Sequence, residues 1–161
     1  MFTVDGIRKL HDWTHASLTL LLRHVSTLPS DAYTRELSSF GFNTVQKQVI
    51  HIFNCEGFWV SILQGRDYID SKPSEFPAVG DAVRFQRETR DRTLEYLAGL
   101  TEQQLNSETE LNFSDGDHAV RTPALVLHHV FTHAFHHKGQ IVAMCRELGH
   151  PAPDTDLNQF E

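Results

Sequence analysis

Apolar residues recur at three- and four-residue steps through four long segments of the chain, which is the spacing of one buried face of an α-helix. The first segment is predicted to be a helix from Val4 to Leu28, ended by Pro29. Its apolar stripe runs through Ile7, Leu10, Leu18, Leu21, Val25 and Leu28. Residues 32–42 are expected to form a connection to the next helix.

The second helix is predicted to begin at Asn43, a good N-cap residue, with Gln46 three positions later as in a capping box. Its apolar face comprises Val45, Val49, Ile52, Phe53, Val60 and Leu63. Gly65 is expected to end it.

The third helix is predicted to begin at Asp81 as its N-cap and to continue to Leu100. The preceding stretch, residues 66–80, is polar and contains Pro73 and Pro77. It is interpreted as a long crossing loop rather than a linker between domains, because neither half of the chain would have a core alone.

A small hairpin and the fourth helix follow. Alternating residues at 111–113 and 118–120 flank Asp115-Gly116, a turn signal that predicts two short antiparallel strands. The last helix has Thr122 as N-cap, Pro123 at its first position and Gly149 at its end. These elements predict an all-α four-helix bundle with a long crossing loop and a small β-hairpin before the last helix, forming a single domain over residues 1–161.

Composition and charge restrict the function classes. The chain has 14 basic and 21 acidic residues and a formal charge of −7, without a basic stripe, so nucleic-acid binding is not expected. No apolar run approaches the roughly 20 residues that span a bilayer, and no signal peptide is recognisable. With two well-separated cysteines, Cys55 and Cys145, these features predict a soluble bacterial protein of the cytoplasm with reduced thiols.

Histidines are the compositional outlier, since the chain has 11 of them, five within residues 128–137. His133 and His137 are four positions apart, so on a helix their side chains share one face and can reach one metal ion. A third ligand is expected from a facing helix, and the second helix offers His51. Three imidazoles with a free position describe an open, catalytic type of site for a divalent transition metal.

Other polar residues have weaker assignments. Gln140 lies seven positions after His133, and it is a candidate to orient a ligand at the site. Glu56 is a candidate to accept a hydrogen bond from an imidazole there; an ordinary inter-helix polar role is the alternative. Five further histidines are expected to be surface or capping residues, although the first helix could bring His15 to the site: His11, His15, His24, His118 and His150.

Two separated motifs resemble one protein family. Residues 129–141, which read HVFTHAFHHKGQI, resemble the histidine-rich signature of the DinB family that ends in Arg-Gly-Gln. Residues 51–59, HIFNCEGFW, resemble that family's second-helix motif, a histidine followed by Glu and Trp. Lys138 stands where arginine is more frequent; it keeps the charge but lacks the planar fork needed for a bidentate pairing.

The resemblance covers nearly the whole chain, and it implies a commonly dimeric four-helix bundle with a metal on three histidines, here His51, His133 and His137. Some members are similar to transferases or isomerases that use bacillithiol, mycothiol or glutathione. The expected function is therefore a metal-dependent transferase acting with a low-molecular-weight thiol on a small-molecule substrate. A metal-dependent hydrolase and a non-enzymatic, stress-related metal-binding protein are the alternatives. Zn or Ni is the expected metal, with Fe and Mn as further candidates, and no catalytic residue is assigned.

Overall fold

The computed structural model describes residues 1–160 and contains five helices and one hairpin in that range. In chain order they are α1 (Val4–Val25), α2 (Val45–Leu63), α3 (Val79–Ala98), α4 (Glu102–Asn106), β1 (Thr109–Asn112), β2 (His118–Arg121) and α5 (Pro123–Glu147). Single 3₁₀ turns lie at Pro73–Glu75 and Leu157–Gln159. The predicted fold class is confirmed: α1, α2, α3 and α5 are the four long helices, and the hairpin precedes the last of them.

The four long helices form a ring in which each packs on two neighbours, in the order α1, α3, α2, α5. Apolar side chains fill the interior at both ends of the ring, with Phe53 and Phe131 among the largest that are fully buried. The helix α2 is the most apolar of the four, and it packs against both α3 and α5. Side chains on different faces of α2 therefore meet different neighbours.

Two predicted helix starts were wrong by a small margin. The N-cap of α2 is Thr44, whose side-chain oxygen accepts from the backbone N–H of Lys47. Asn43 instead accepts a hydrogen bond from the Lys47 ammonium, and Gln46 donates to the carbonyl of Phe76. The helix α3 begins at Val79, and Asp81 lies inside its first turn, where its carboxylate accepts from the backbone N–H of Ala78.

The C-terminal ends of three long helices can be compared with the predicted ones. The predicted extension of α1 to Leu28 was wrong, because α1 ends at Val25 and turns connect it to Pro29. Gly65 and Gly149 end α2 and α5 with φ of +66° and +83°, a conformation that favours glycine. These two ends are where the sequence places them.

The sequence interpretation missed the short helix α4, although its capping box, Thr101 with Gln104, is visible in the sequence. The hairpin is present, with Leu111 opposite Ala119 and Asn112 opposite His118. None of the helices within residues 1–160 has the length and apolar character needed to cross a membrane.

Candidate metal centre

Three imidazoles from α2 and α5 converge at one place between the two helices. The Nε2 atoms of His51 and His133 are 3.1 Å apart, and the ring centroids of His133 and His137 are 4.4 Å apart. One donor nitrogen from each of the three rings lies within 4.8 Å of the others. The three predicted ligands, His51, His133 and His137, are thus brought together, two from successive turns of α5 and one from the facing helix.

A buried amide, Gln48, orients His137. The Nδ1–H of His137 donates to Oε1 of Gln48 over 2.6 Å. The Gln48 amide nitrogen donates to the carbonyl of Phe42 at 2.9 Å and to Oε1 of Gln140 at 2.6 Å. Gln48 is completely buried, and this network uses both of its N–H groups and its oxygen.

The network decides which nitrogen of His137 is free. A backbone carbonyl can only accept, so the amide nitrogen of Gln48 must face Phe42 and its oxygen must face His137. The proton of His137 is then on Nδ1, and Nε2 keeps a lone pair. A hydrogen bond on the far ring nitrogen is the usual way in which proteins orient a metal-binding histidine.

The protonation states of the three rings also suit a metal. Burial lowers the pKa of His51. Burial, together with the neighbouring imidazoles, lowers the pKa of His133 to about 4 and that of His137 to about 3. All three imidazoles are therefore neutral near pH 7, which is the form that binds metal ions.

The spacing of the nitrogens can be compared with a coordination shell. Two nitrogens bonded to a tetrahedral ion at about 2.0–2.1 Å lie about 3.4 Å from one another. The separation of 3.1 Å between His51 and His133 is close to that value. The Nδ1 atom of His133 is buried and has no hydrogen-bond partner, so the ring of His133, unlike that of His137, is not held in one tautomer by a partner on Nδ1. The donor set fits a divalent metal ion.

Phe42 covers one side of the centre. Its ring stacks on His51 with centroids 4.3 Å apart, and it meets His137 edge-on at 5.8 Å. Phe42 itself is 40% exposed, and His51 and His133 are only partly buried. The centre thus combines an apolar wall with access from solvent.

The predicted ligand-orienting residue Gln140 lies beside the centre. Its side chain accepts from Gln48 and donates to Nε2 of His136 at 2.8 Å. It is therefore linked through Gln48 to His137. Its role toward a bound ligand stays a prediction.

Glu56 does not join the three histidines. Its carboxylate accepts from Nε2 of His11 at 2.9 Å, from Nε2 of His15 at 3.0 Å and from the hydroxyl of Thr93 at 2.7 Å. Burial alone would raise the pKa of Glu56, but the charge of His15 and the hydrogen bonds from both histidines hold the pKa well below its usual value. The expectation that His11 is a surface or capping residue was wrong, as was the same expectation for His15, because the two are 0% and 2% exposed.

Cys55 is not a candidate nucleophile. Burial raises the pKa of its thiol to about 12, so the thiolate is not accessible near neutral pH. Cys55 and Cys145 are both free thiols. Cys55 therefore packs as a small apolar residue of α2.

Sequence reasoning missed Gln48 and Phe42. A signal for Gln48 existed: it precedes His51 by about one turn, in the polar run Gln46-Lys47-Gln48. Phe42 gave no such signal, because it lies in a connection whose path cannot be read from periodicity.

Comparison with known proteins agrees with this architecture. The sequence model of the DinB family matches residues 1–161. Protein DinB of Bacillus subtilis (strain 168) is 21% identical, with 97% of this chain and 94% of that protein covered. An uncharacterized protein of the same organism, YizA, is 22% identical over 67% of each chain.

Two crystal structures share the fold. A DinB-like protein from Bacillus cereus ATCC 10987 superimposes with a TM-score of 0.76 at 17% identity, covering 96% of this chain and 99% of that one. The DinB-like protein YjoA from Bacillus subtilis gives a TM-score of 0.62 at 20% identity, with 95% and 96% covered. At this level of identity the likeness concerns the fold.

Proposed function

This chain belongs to the DinB family, and we propose that it is a metal-dependent transferase that uses a low-molecular-weight thiol as its nucleophile. In this proposal His51, His133 and His137 hold one divalent transition-metal ion. The observation that carries the proposal is the convergence of three neutral imidazoles on a partly exposed face between two helices. Three protein ligands leave a coordination position for a small molecule.

The chemistry needs an activated sulfur. A divalent ion, when bound, lowers the pKa of a thiol ligand so that the thiolate is present near neutral pH. The protein's own part is to hold the imidazoles: Gln48 keeps the proton of His137 on Nδ1, and Phe42 restricts His51 by stacking. The apolar ring of Phe42 also lowers the exposure of the reacting sulfur to water.

The reaction class follows from these parts. The thiolate sulfur attacks an electrophilic carbon of the second substrate, a carbon–sulfur bond forms, and the leaving group departs with the electron pair of its bond. The thiol proton passes to solvent, which reaches the partly exposed rings of His51 and His133. No side chain of the protein needs to act as the nucleophile.

Zn²⁺ or Ni²⁺ is the proposed ion. Three imidazole nitrogens suit both metals. Fe and Mn bind the same ligands and are further candidates, because the metal that occupies the site in a cell also depends on metal supply. Elemental analysis of protein purified without an affinity tag identifies the ion. A bound metal at near one equivalent is expected from the proposed centre.

The test compares the wild type with His133→Ala and with His129→Ala, an exposed histidine one turn away in the same row. Metal content and the conjugation of glutathione, bacillithiol or mycothiol to 1-chloro-2,4-dinitrobenzene are measured. We expect His133→Ala to lose both metal and conjugation, and His129→Ala to keep them. Metal-loaded wild type without thiol-dependent turnover contradicts the thiol proposal.

Two alternatives are separated by the same experiments. Metal-dependent turnover of ester or amide substrates in the absence of any thiol points to water as the nucleophile. Chelation that unfolds the protein, with no turnover of either kind, points to a structural or sensing ion.

The proposed working form is a homodimer, as the resemblance implies. Its mass in solution can be measured by light scattering after size-exclusion chromatography. A mass near the 18.4 kDa of one chain contradicts this part of the proposal.

The proposed compartment is the cytoplasm. The free thiols of Cys55 and Cys145 support a reducing environment. Such an environment also keeps a low-molecular-weight thiol reduced, as the proposed reaction requires.

A further inference from the structure

We propose that His11, His15 and Glu56 form a second divalent-metal site, buried between α1 and α2 and separate from the three histidines of α2 and α5. It shares no residue with that centre. Glu56 follows His51 by five positions, which is a rotation of roughly 140° about the helix axis, so α2 presents its two polar ligands on different sides. The inference does not depend on the proposed transferase activity.

The arrangement repeats that of the first centre. His11 and His15 are four positions apart on α1, as His133 and His137 are on α5, and in each case α2 supplies the third group. One donor atom from each of His11, His15 and Glu56 lies within 4.8 Å of the others. Two imidazoles and one carboxylate are an established ligand set for zinc.

The distances are those of a site that needs little adjustment. The Nε2 atom of His11 is 2.9 Å from Oε1 of Glu56, and the Nε2 atom of His15 is 3.0 Å from Oε2. Ligand atoms around a tetrahedral ion lie about 3.4 Å apart, so an outward movement of a few tenths of an ångström makes room. Both nitrogens already point at the carboxylate.

A cation bound at this place would stabilise the buried carboxylate. Glu56 is 3% exposed, and an ionised carboxylate removed from water is costly unless a positive charge compensates it. In the metal-free protein the Nε2–H groups of His11 and His15 donate to Glu56, and their Nδ1 atoms have no hydrogen-bond partner. An ion that binds here replaces the two Nε2 protons, and each ring then carries its proton on Nδ1 and offers the Nε2 lone pair.

The surroundings of the cluster include a donor to the carboxylate and a surface groove. The hydroxyl of Thr93 in α3 donates to Oε1 of Glu56 at 2.7 Å, which orients the carboxylate. His15 also lines a surface groove of about 530 Å³ between α1 and α3, flanked by Gln86. The nearly buried ring of His15 thus separates the cluster from this groove.

The experiment is a count of bound metal. Metal-free protein is titrated with Zn²⁺, desalted and analysed for zinc, for the wild type, for the triple variant His51→Ala/His133→Ala/His137→Ala, and for that variant with Glu56→Gln added. Two ions per chain are expected for the wild type, one for the triple variant and none after Glu56→Gln. Glu95→Gln, the same substitution at an exposed glutamate of α3, is the matched control in the triple background and is expected to keep one ion.

Each result bears on the proposal. If the triple variant binds no zinc, the proposed second site is wrong. This comparison leaves His11, His15 and Glu56 unchanged. An ion that survives Glu56→Gln in a folded protein is bound by other histidines, which also overturns it; circular dichroism verifies folding. If the wild type binds a single ion and the triple variant also binds one, the result supports the second site. It contradicts metal binding by His51, His133 and His137.

Discussion

At the scale of single residues, the centre depends on an amide that is not itself a candidate ligand. Gln48 accepts from His137 and donates to Phe42 and Gln140, so it determines which nitrogen of His137 faces the other two rings. An apolar residue of similar size would leave the Nδ1–H of His137 buried without an acceptor. The imidazole would then lose both its orientation and its preferred tautomer.

Replacing this amide should therefore weaken metal binding without removing a ligand. We expect Gln48→Leu to reduce the affinity for Zn²⁺ by about 10–100-fold, the usual effect of losing such a hydrogen-bond partner. Competition with a chromophoric chelator measures the affinity. Gln103→Ala, an exposed glutamine on α4, is the control and should bind as the wild type does. Equal affinities for Gln48→Leu and wild type would show that the amide does not orient the ring.

At the scale of elements, the crossing segment between α2 and α3 is attached to α2 by close contacts. Asn54 donates to the carbonyl of Ser71 and accepts from its N–H and from the Tyr68 hydroxyl. A Cβ on Gly57 would lie 2.7 Å from the Tyr68 ring, so only glycine lets the ring pack there. Gly57 therefore lies inside the helix α2 because the Tyr68 ring packs directly against its backbone.

Two glycine substitutions in long helices should therefore have opposite signs. Glycine inside a helix costs about 1 kcal/mol relative to alanine, and Gly139→Ala, where a Cβ meets nothing within 4 Å, should stabilise α5 by about that amount. Gly57→Ala gains the same propensity but forces Tyr68 to move, a cost of about 1–3 kcal/mol. Urea unfolding should give a net loss of up to about 2 kcal/mol for Gly57→Ala. A gain there equal to that of Gly139→Ala would mean that Tyr68 moves without cost.

The segment after α5 is also tied to the bundle, in this case by Lys138. The buried ammonium donates to the carbonyl of Thr155 at 2.8 Å and to the hydroxyl of Ser17, which itself donates to the same carbonyl at 2.6 Å. These are single hydrogen bonds, which a lysine makes without the planar fork of arginine. Lys138 therefore joins α1, α5 and the segment around Thr155.

Removing this ammonium should release the segment after α5. We expect Lys138→Met to speed limited proteolysis within residues 151–160 and to lower the free energy of unfolding by about 1–3 kcal/mol, since buried partners lose their donor. Lys47→Met, which removes a partly exposed ammonium on α2, should leave the cleavage rate unchanged. Identical cleavage of the two variants would contradict the anchoring role.

At the scale of the whole molecule, the clustering of histidines makes stability dependent on pH. The pKa values of His133 and His137 are lowered to about 4 and about 3, and burial also lowers the pKa of His11 and of His51. In the unfolded chain a histidine titrates near 6.5. Between those values the unfolded state binds protons that the folded state does not, so acid favours unfolding.

The metal-free protein should lose stability as the pH falls from about 6.5 toward 4, and Glu56, whose pKa is depressed, should add a further loss below about 4.3. Each proton of difference changes the free energy of unfolding by about 1.4 kcal/mol per pH unit. Urea unfolding at a series of pH values measures how the free energy of unfolding changes with pH. The same curves should each show one cooperative transition if residues 1–161 are a single domain, as the sequence predicts. His137→Gln should flatten the slope, whereas His118→Gln, at an exposed histidine, should not. A stability that is constant over this range contradicts the burial of neutral imidazoles.

The sequence by itself determined what is local in the chain. Apolar periodicity predicted the four long helices, and turn residues predicted the hairpin around Asp115-Gly116 and the glycine ends of α2 and α5. The row formed by His133 and His137 was predictable because the geometry of one helix places residues four apart on one face. His51 was predictable because it is the one histidine in the apolar second helix.

Only the tertiary structure decided which faces of the helices meet. Glu56 lies 45 positions from His11 and 37 from Thr93, and Gln48 lies 89 positions from His137. Contacts at such separations depend on the rotation of each helix about its axis and on the order of helices in the ring, which the total burial of apolar surface determines. For that reason the sequence predicted the three histidines that α2 and α5 bring together, whereas the amide behind them and the cluster of His11, His15 and Glu56 emerged from packing.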